Sequence, residues 1–191
     1  MRAGTVTPTD LVQAHIDRVQ QVNPLLNAMV ADRFDTALAE ARHAEARLAA
    51  SREEGGSNLP PFLGVPCTIK EFFSVQGLPK TGGMLAHKGR ISDHDAPTVA
   101  RLRQAGFIVL GVTNAPEGGL WMETTNLVYG RTNNPWDLRR TSGGSSGGEG
   151  ALVAAGACPV GLGSDIGGSI RIPRPVRLRR PQAQRRPGAQ H

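Results

Sequence analysis

The sequence predicts an α/β protein in which helices flank a mixed or parallel sheet. Two observations carry this prediction: helical and strand patterns alternate along the 191 residues, and short apolar runs follow amphipathic stretches. The clearest example is the helical stretch 96–104, which leads into the apolar run 107–110. A chain of this length suffices for one domain, and no internal repeat is visible.

The first helix is predicted from its N-terminal signals. Thr7 is a capping residue, Pro8 takes the first helical position, and an apolar face continues up to Asn23-Pro24. The remaining elements follow from apolar spacing and from the Gly/Pro-rich segments between them. In chain order we expect a strand at 26–30, a helix at 33–50, a strand at 63–70, a helix at 96–104, a strand at 107–110, a helix at 149–156 and a strand at 159–163.

Two glycine-rich segments, 143–150 and 163–171, each cradle a serine that is central to the functional prediction. These serines are Ser145 in the first segment and Ser169 in the second. Glycine costs backbone entropy in a folded chain, so its repeated use indicates unusual dihedral angles or close backbone approach. A serine on such a loop has free backbone N–H groups beside its hydroxyl. Acyl-transfer chemistry requires this pairing of a nucleophile with donors for an oxyanion.

Familiar Gly/Ser motifs do not explain these loops. A phosphate-binding loop needs lysine where the chain has Glu149, and no glycine triplet has the spacing of a dinucleotide fingerprint. The string 143–147 matches G-x-S-x-G, but a histidine-dependent triad needs an acid and then a histidine downstream, and only His191 follows. Lysine is the usual alternative base. Lys70 ends an apolar run, where desolvation lowers the pKa of an amine, although most isolated lysines of this kind are surface residues.

Three segments, 64–71, 129–137 and 143–171, resemble the amidase signature family in their sequence, order and spacing. The Gly-Gly-Glu run that ends at Glu149 and the Ser164-Asp165-Ile166 run are most similar to its fatty-acid-amide-hydrolase-type branch. The family's chemistry is therefore the expectation for this chain.

The resemblance implies a Ser-cisSer-Lys triad and an acyl-serine intermediate. Lys70 is then the base, Ser145 the bridging serine on a cis peptide bond, and Ser169 the nucleophile that becomes acylated. Backbone N–H groups would hold the oxyanion. The expected donors are Ile166, Gly167, Gly168 and Ser169 itself. No metal or cofactor is expected.

Other residues receive weaker assignments. Met122 lies in a non-periodic stretch and is interpreted as substrate-binding. Ser146 receives the same interpretation, for which a hydroxyl that satisfies loop backbone is an equal alternative. Asp165 and Arg171 flank the second serine loop and are interpreted as a structural ion pair.

All of the formal charge of +6 lies in residues 174–191, which hold six arginines and no acidic residue. This tail has only Val176 and Leu178 as large apolar residues, so it cannot pack a core and is expected to be disordered. It begins where the family continues into apolar sequence, and we interpret it as the product of a frameshift. A basic nucleic-acid-binding arm is the rival interpretation, which the absence of Phe, Tyr and Trp from the tail disfavours.

The predicted organisation is an incomplete N-terminal part of an amidase domain at 1–173, followed by a non-family tail at 174–191, because members of the family are considerably longer. The predicted function is hydrolysis of a carboxamide to a carboxylate and ammonia or an amine. Two alternatives remain open. One is the glutamine-amidase subunit of a tRNA-dependent amidotransferase, a branch that usually carries serine in place of Glu149; the other is a catalytically inactive fragment.

The expected partner is a small-molecule amide rather than nucleic acid or a membrane, and a homodimer is left open. The longest uncharged runs, 55–69 and 150–164, are broken by glycine and proline and are too short to span a bilayer. No signal peptide is recognised, so a cytoplasmic location is expected.

Overall fold

The computed structural model describes residues 1, 5–53 and 59–173, so the predicted tail at 174–191 lies outside the described residues. The helices are α1 (Pro8–Leu26), α2 (Phe34–Glu53), α3 (Pro97–Gln104) and α4 (Gly147–Ala154). The strands are β1 (Met29–Asp32), β2 (Pro66–Lys70), β3 (Ile108–Thr113), β4 (Thr125–Asn126), β5 (Gly130–Arg131) and β6 (Gly161–Leu162). Single 3-10 turns occur at 85–87 and 117–119.

Four of the strands form one mixed sheet in the order β1-β3-β2-β6. β3 pairs antiparallel with β1 and parallel with β2, and β2 pairs parallel with β6. β4 and β5 form a separate antiparallel pair. The predicted α/β class, with a mixed sheet flanked by helices, is confirmed.

The sheet is buried on both faces, because side chains of β3 point to opposite sides, with one irregularity at residue 110 where the pairing with β2 shifts by one residue. Ile108 and Leu110 join a core formed with α1, α2 and α4, whereas Val109 and Val112 join a second core with Val99 of α3. Strands covered on both faces are expected to be continuously apolar. Every residue of β2 is buried as well, so Lys70 at its end is held by a strand that is packed on both sides.

Helix α1 is longer than predicted, because it passes through Pro24 and ends where Asn27 takes a left-handed conformation with a φ of 49°. Asn23 then folds back onto the following chain. Its side chain accepts the N–H groups of Ala28 and Met29 and donates to the carbonyl of Met29. These hydrogen bonds place the start of β1 three residues after the predicted start at 26.

β3 continues beyond the predicted end at residue 110 because of Gly111. A Cβ at this position would lie 2.3 Å from the carbonyl oxygen of Ala31, so a residue without a Cβ lets β1 approach and pair. α4 begins before the predicted residue 149, since Thr124 Oγ1 accepts the N–H of Gly147 and the Asn114 carbonyl accepts that of Gly148. Both differences arise from contacts with residues distant in sequence.

β2 and β6 are shorter than predicted. β2 begins at Pro66 instead of residue 63, because the Val65 N–H donates to the Phe62 carbonyl and closes a turn before the strand. β6 contains two residues rather than the predicted 159–163, and both of them pair with β2. The helices α2 and α3 lie within a few residues of their predicted limits.

Candidate active site

Lys70 is the last residue of β2, and its amine is buried against two serines. Nζ donates hydrogen bonds to Ser145 Oγ at 2.6 Å and to Ser164 Oγ at 2.9 Å. Only 1 % of Lys70 is exposed. Burial lowers the pKa of this amine to about 8, although the negative charges of Glu149 and Asp165 oppose the shift. A proton can therefore leave Lys70 close to neutral pH, as a general base requires.

Ser145 precedes α4, and the peptide bond that joins it to Gly144 is cis. Its side chain is buried, and its hydroxyl accepts the hydrogen bond from Lys70. Thr124 holds the surrounding loop, because its hydroxyl donates to one loop carbonyl and accepts one loop N–H.

Ser169 lies on the second glycine-rich loop and lines the same cavity as Lys70 and Ser145. The cavity has a volume of about 370 Å³. Within the described part of the chain, no hydrogen bond joins the hydroxyls of Ser145 and Ser169. The two loops are tied through the backbone instead, where the Ser146 N–H donates to the Ser169 carbonyl at 3.0 Å. The structure thus brings Lys70 and Ser145 into direct contact and places Ser169 in the cavity that they share.

Asp165 organises the loop that carries the expected oxyanion donors. Its carboxylate accepts the N–H groups of Gly168, Ile170 and Arg171 and forms an ion pair with the Arg171 guanidinium at 2.9 Å. The guanidinium and these hydrogen bonds hold the pKa of Asp165 well below its usual range. The Gly168 N–H is thus donated within its own loop, and its role as an oxyanion donor stays a prediction. Three expected donors have no hydrogen-bond acceptor among residues 59–173: Ile166, Gly167 and Ser169.

The two predicted substrate-binding residues have different surroundings. Met122 lines the cavity beside Trp121, and both side chains are largely exposed. Ser146 is buried outside the cavity wall, where its hydroxyl donates to the Ser164 carbonyl at 3.2 Å and accepts the Ser164 N–H. The Ser146 hydroxyl thus satisfies backbone groups of the second glycine-rich loop, which is the alternative left open for this residue, and its substrate-binding role stays a prediction.

Two polar residues beside the site have roles that the sequence did not predict. Ser164 is the second acceptor for Lys70, and nothing in the spacing of these residues indicates that they meet. Glu149 is 5 % exposed and accepts hydrogen bonds from Thr68 Oγ1 at 2.5 Å and Thr113 Oγ1 at 2.8 Å. Burial raises the pKa of Glu149 to about 7, against the opposing effects of these hydrogen bonds and of Lys70. A carboxylate in an otherwise apolar, glycine-rich helix is the signal that could have identified it.

Metal-ligand clusters are absent from the described residues, where no group of three or more His, Cys, Asp or Glu side chains could hold an ion. Cys67 and Cys158 are buried and free. In the same part of the chain, no helix combines the length and the apolar character needed to cross a membrane.

Residues 10–174 match the model of a protein family described as Amidase. The chain belongs to the amidase family. It is 51 % identical over 177 residues to fatty-acid amide hydrolase 2-A of Danio rerio, and 43 % identical over 171 residues to a glutamyl-tRNA(Gln) amidotransferase subunit of Acidothermus cellulolyticus. Among solved structures, 6-aminohexanoate cyclic dimer hydrolase complexed with substrate superposes with a TM-score of 0.78 and 41 % identity.

These matches cover most of this amidase-family chain but a minor part of each relative. The match to the fatty-acid amide hydrolase covers 91 % of this chain and 33 % of that protein, and the match to the amidotransferase subunit covers 90 % and 33 %. The superposition on the cyclic dimer hydrolase covers 91 % of this chain and 34 % of that structure. The chain thus spans about a third of the length of the curated relatives it matches. The expected resemblance to the amidase signature family is confirmed, and the higher identity to the fatty-acid amide hydrolase agrees with the expected branch.

Proposed function

We propose that this chain contributes the site at which a serine becomes acylated in an enzyme that hydrolyses carboxamides to carboxylates and ammonia or an amine. One observation carries the proposal: a buried lysine amine lies 2.6 Å from a serine hydroxyl, and a second serine on a glycine-rich loop lines the same cavity. Membership of the amidase family and the names of the relatives support it.

The proposed reaction begins with Lys70 as an uncharged base. Lys70 takes the proton of Ser145 while Ser145 takes that of Ser169, whose Oγ attacks the carbonyl carbon of the amide. The carbonyl oxygen becomes an oxyanion, and removal of one donor to such an oxyanion typically costs roughly 3–4 kcal/mol of the activation barrier. The proposed backbone donors are Ile166, Gly167 and Ser169.

The second half of the proposed reaction reverses the proton path. The proton on Lys70 returns through Ser145 to the amide nitrogen, the C–N bond breaks, and ammonia or an amine leaves an acyl ester on Ser169. Water then gives a proton to the same relay while its oxygen attacks the ester carbonyl. The bond between the acyl carbon and Ser169 Oγ breaks, Ser169 recovers its proton from the relay, and the product leaves as a carboxylic acid that loses its remaining proton to water and becomes the carboxylate.

Apolar side chains around the cavity favour a substrate with an apolar acyl group. Leu120, Trp121, Met122 and Ile166 all line the cavity and are at least 60 % exposed. Exposed apolar surface beside a cavity is typical of a ligand-binding groove. The name of the fatty-acid amide hydrolase supports the same substrate class. The amidotransferase alternative is not favoured, since identity to that relative is lower.

Covalent labelling with a fluorophosphonate probe tests the proposed function. The probe reacts with an activated serine, so we expect the wild-type chain to take the label and Ser169→Ala to lose it. Loss of a general base typically costs 10²-fold or more, and we expect Lys70→Ala to react at least about 100-fold more slowly.

Lys80→Ala is the matched control for this experiment, because the Lys80 amine bonds Ser74 away from the cavity. We expect its labelling rate to equal that of the wild type. A folded wild-type chain that takes no label would overturn the proposal and leave the inactive-fragment alternative.

A further inference from the structure

A buried carboxylate links the strand that carries the base to the rest of the site. Each oxygen of Glu149 accepts one hydroxyl: Thr68 of β2 donates to Oε2, and Thr113 of β3 donates to Oε1. Thr68 precedes Lys70 by two residues and therefore faces the same side of the sheet. Thr113 is the register partner of Lys70 on β3. Glu149 itself lies in the first turn of α4, four residues after Ser145.

Strand β6, which pairs with β2, leaves room for this carboxylate at Gly161. Gly161 of β6 pairs with Thr68, and a Cβ at Gly161 would lie 1.7 Å from Glu149 Oε2. Any larger residue there would displace either the carboxylate or β6. Burial of a carboxylate with two neutral donors still costs free energy, because neither hydroxyl supplies a positive charge. Lys70 supplies the positive charge that acts on it.

We propose that Glu149 is a positioning residue for Lys70: its hydrogen bonds to Thr68 and Thr113 fix the strand end that presents the amine and hold a carboxylate on the same side of the sheet as that amine. The inference rests on the proposed function, because it assigns Glu149 a role toward the proposed base. Its distinguishing consequence is that Lys70 and Glu149 titrate together, since each carries a charge that acts on the other.

Few other ionisable groups act on this pair. Asp165 on the second glycine-rich loop is the other carboxylate that acts on Lys70. Glu149 acts electrostatically on two thiols, Cys67 and Cys158, but burial raises the pKa of each far above neutral, so both stay uncharged. The groups that ionise near neutral pH are therefore Glu149, with a pKa of about 7, and Lys70, with a pKa of about 8.

Replacement of Glu149 by glutamine separates its charge from its hydrogen bonds. Glu149→Gln removes the negative charge, but it keeps the length of the side chain and offers hydrogen-bonding atoms to both threonines. A negative charge favours the protonated amine, so its removal lowers the pKa of Lys70. Serine labelling then reaches half of its plateau rate at a lower pH, and we expect a shift of about 0.5–1.5 pH units.

The pH dependence of fluorophosphonate labelling is the first test. Glu71→Gln is the matched control, because Glu71 is a buried carboxylate adjacent to Lys70 in the chain whose oxygens accept hydrogen bonds from Thr81, Gly82 and Tyr129 instead. We expect Glu149→Gln to shift the midpoint to lower pH and Glu71→Gln to leave it unchanged. Equal midpoints in the wild type and Glu149→Gln would overturn the inference while the proposed function stands.

An NMR titration of the lysine side chains is the second test and needs no activity. The chain has three lysines, Lys70, Lys80 and Lys88, so isotope-labelled lysine gives three signals, which Lys80→Arg and Lys88→Arg assign. In the wild type we expect two steps for Lys70, one from its own ionisation and one from that of Glu149. A single step at the ordinary lysine pKa, about 10.4, would overturn the inference even if Glu149→Gln failed to fold. Two steps in a chain that takes no label would support the coupling and reject the proposed function.

Discussion

Lys70 owes its chemistry to its position at the end of a buried strand. A lysine in water keeps its proton far above neutral pH, but this amine is almost fully buried and its hydrogen-bond acceptors are hydroxyls. Hydroxyl acceptors orient an amine without adding a charge that would hold its proton. Burial therefore lowers the proton affinity of Lys70, and the hydroxyls of Ser145 and Ser164 fix the direction in which its amine points.

Removal of the second hydroxyl is expected to slow the labelling of Ser169. Ser164→Ala leaves the amine with one acceptor instead of two, so its direction toward Ser145 is less well fixed. We expect the plateau labelling rate, reached above the pKa of Lys70, to be about 10-fold slower, because small misplacements of a reacting group can cost up to about 100-fold in rate. Time courses of probe incorporation measure this rate.

Ser74→Ala is the control for that variant. It breaks another lysine–serine hydrogen bond, which Lys80 Nζ donates at 2.7 Å outside the cavity. We expect labelling at the wild-type rate. Equal rates in Ser164→Ala and Ser74→Ala would contradict a role of Ser164 in orienting the amine.

At the scale of elements, the pairing of β1 with β3 depends on one small residue. A Cβ at Gly111 would approach the Ala31 carbonyl oxygen to 2.3 Å, so Gly111→Ala forces the two strands apart. We expect the free energy of unfolding to fall by about 3 kcal/mol, the upper end of what over-packing costs. Urea unfolding measures the change. Gly89→Ala, which has open space at a φ of +86°, is expected to cost only the backbone strain of about 1–2 kcal/mol, and an equal loss in both variants would contradict the steric explanation.

Local signals predicted the type of the longer elements better than their ends, and they did not predict the two-residue strands β4 and β5. Thr7 and Pro8 place the start of α1 correctly, because a capping residue acts on the first turn of its own helix. The start of α4 depends on Thr124, which lies 23 residues away, and the length of β3 depends on its approach to Ala31. Contacts of this kind leave no periodic pattern in the sequence.

The same distinction applies to the candidate site. Lys70 and Ser145 are 75 residues apart, and only the resemblance to a family indicated that they meet. Glu149 and Ser164 lie inside the recognised motifs, yet their contacts with Thr68 and Lys70 depend on how α4 and a loop pack on the sheet. Packing of this kind follows from the fold rather than from the spacing of residues.

Considered as a whole, the described part of the molecule leaves an apolar surface beside one edge of the sheet. The chain spans about a third of the length of its matched relatives, and β6, with two residues, is an edge strand. Val160 and Ile170 lie beside β6 and are exposed, as is Ile166 on the loop that follows it. Among residues 59–173 no strand pairs with the outer edge of β6, and a strand edge flanked by apolar side chains favours association with another polypeptide.

We therefore expect the chain to self-associate through the surface around β6. Ile170→Lys places a charge beside the edge, and we expect it to weaken association at least about tenfold, as a cost of 1.4 kcal/mol would. Sedimentation over a concentration series measures the change. Leu85→Lys is the matched control, because Leu85 is 52 % exposed where Ile170 is 50 % exposed, and it lies on a 3-10 turn outside this surface. An equal effect of both variants would contradict association through β6.

The proposed base and the proposed nucleophile are anchored in different ways. Lys70 ends a strand in which all five residues are buried, whereas Ser169 lies on a loop that partly exposed hydrogen bonds fasten to Asp165. Displacement of a buried strand costs far more free energy than displacement of such a loop. We therefore expect a substrate of the proposed reaction to displace the loop that carries Ser169 rather than the strand that carries Lys70. Sequence changes confined to this loop are then expected to alter which amides the proposed site accepts, while the position of the proposed base stays the same.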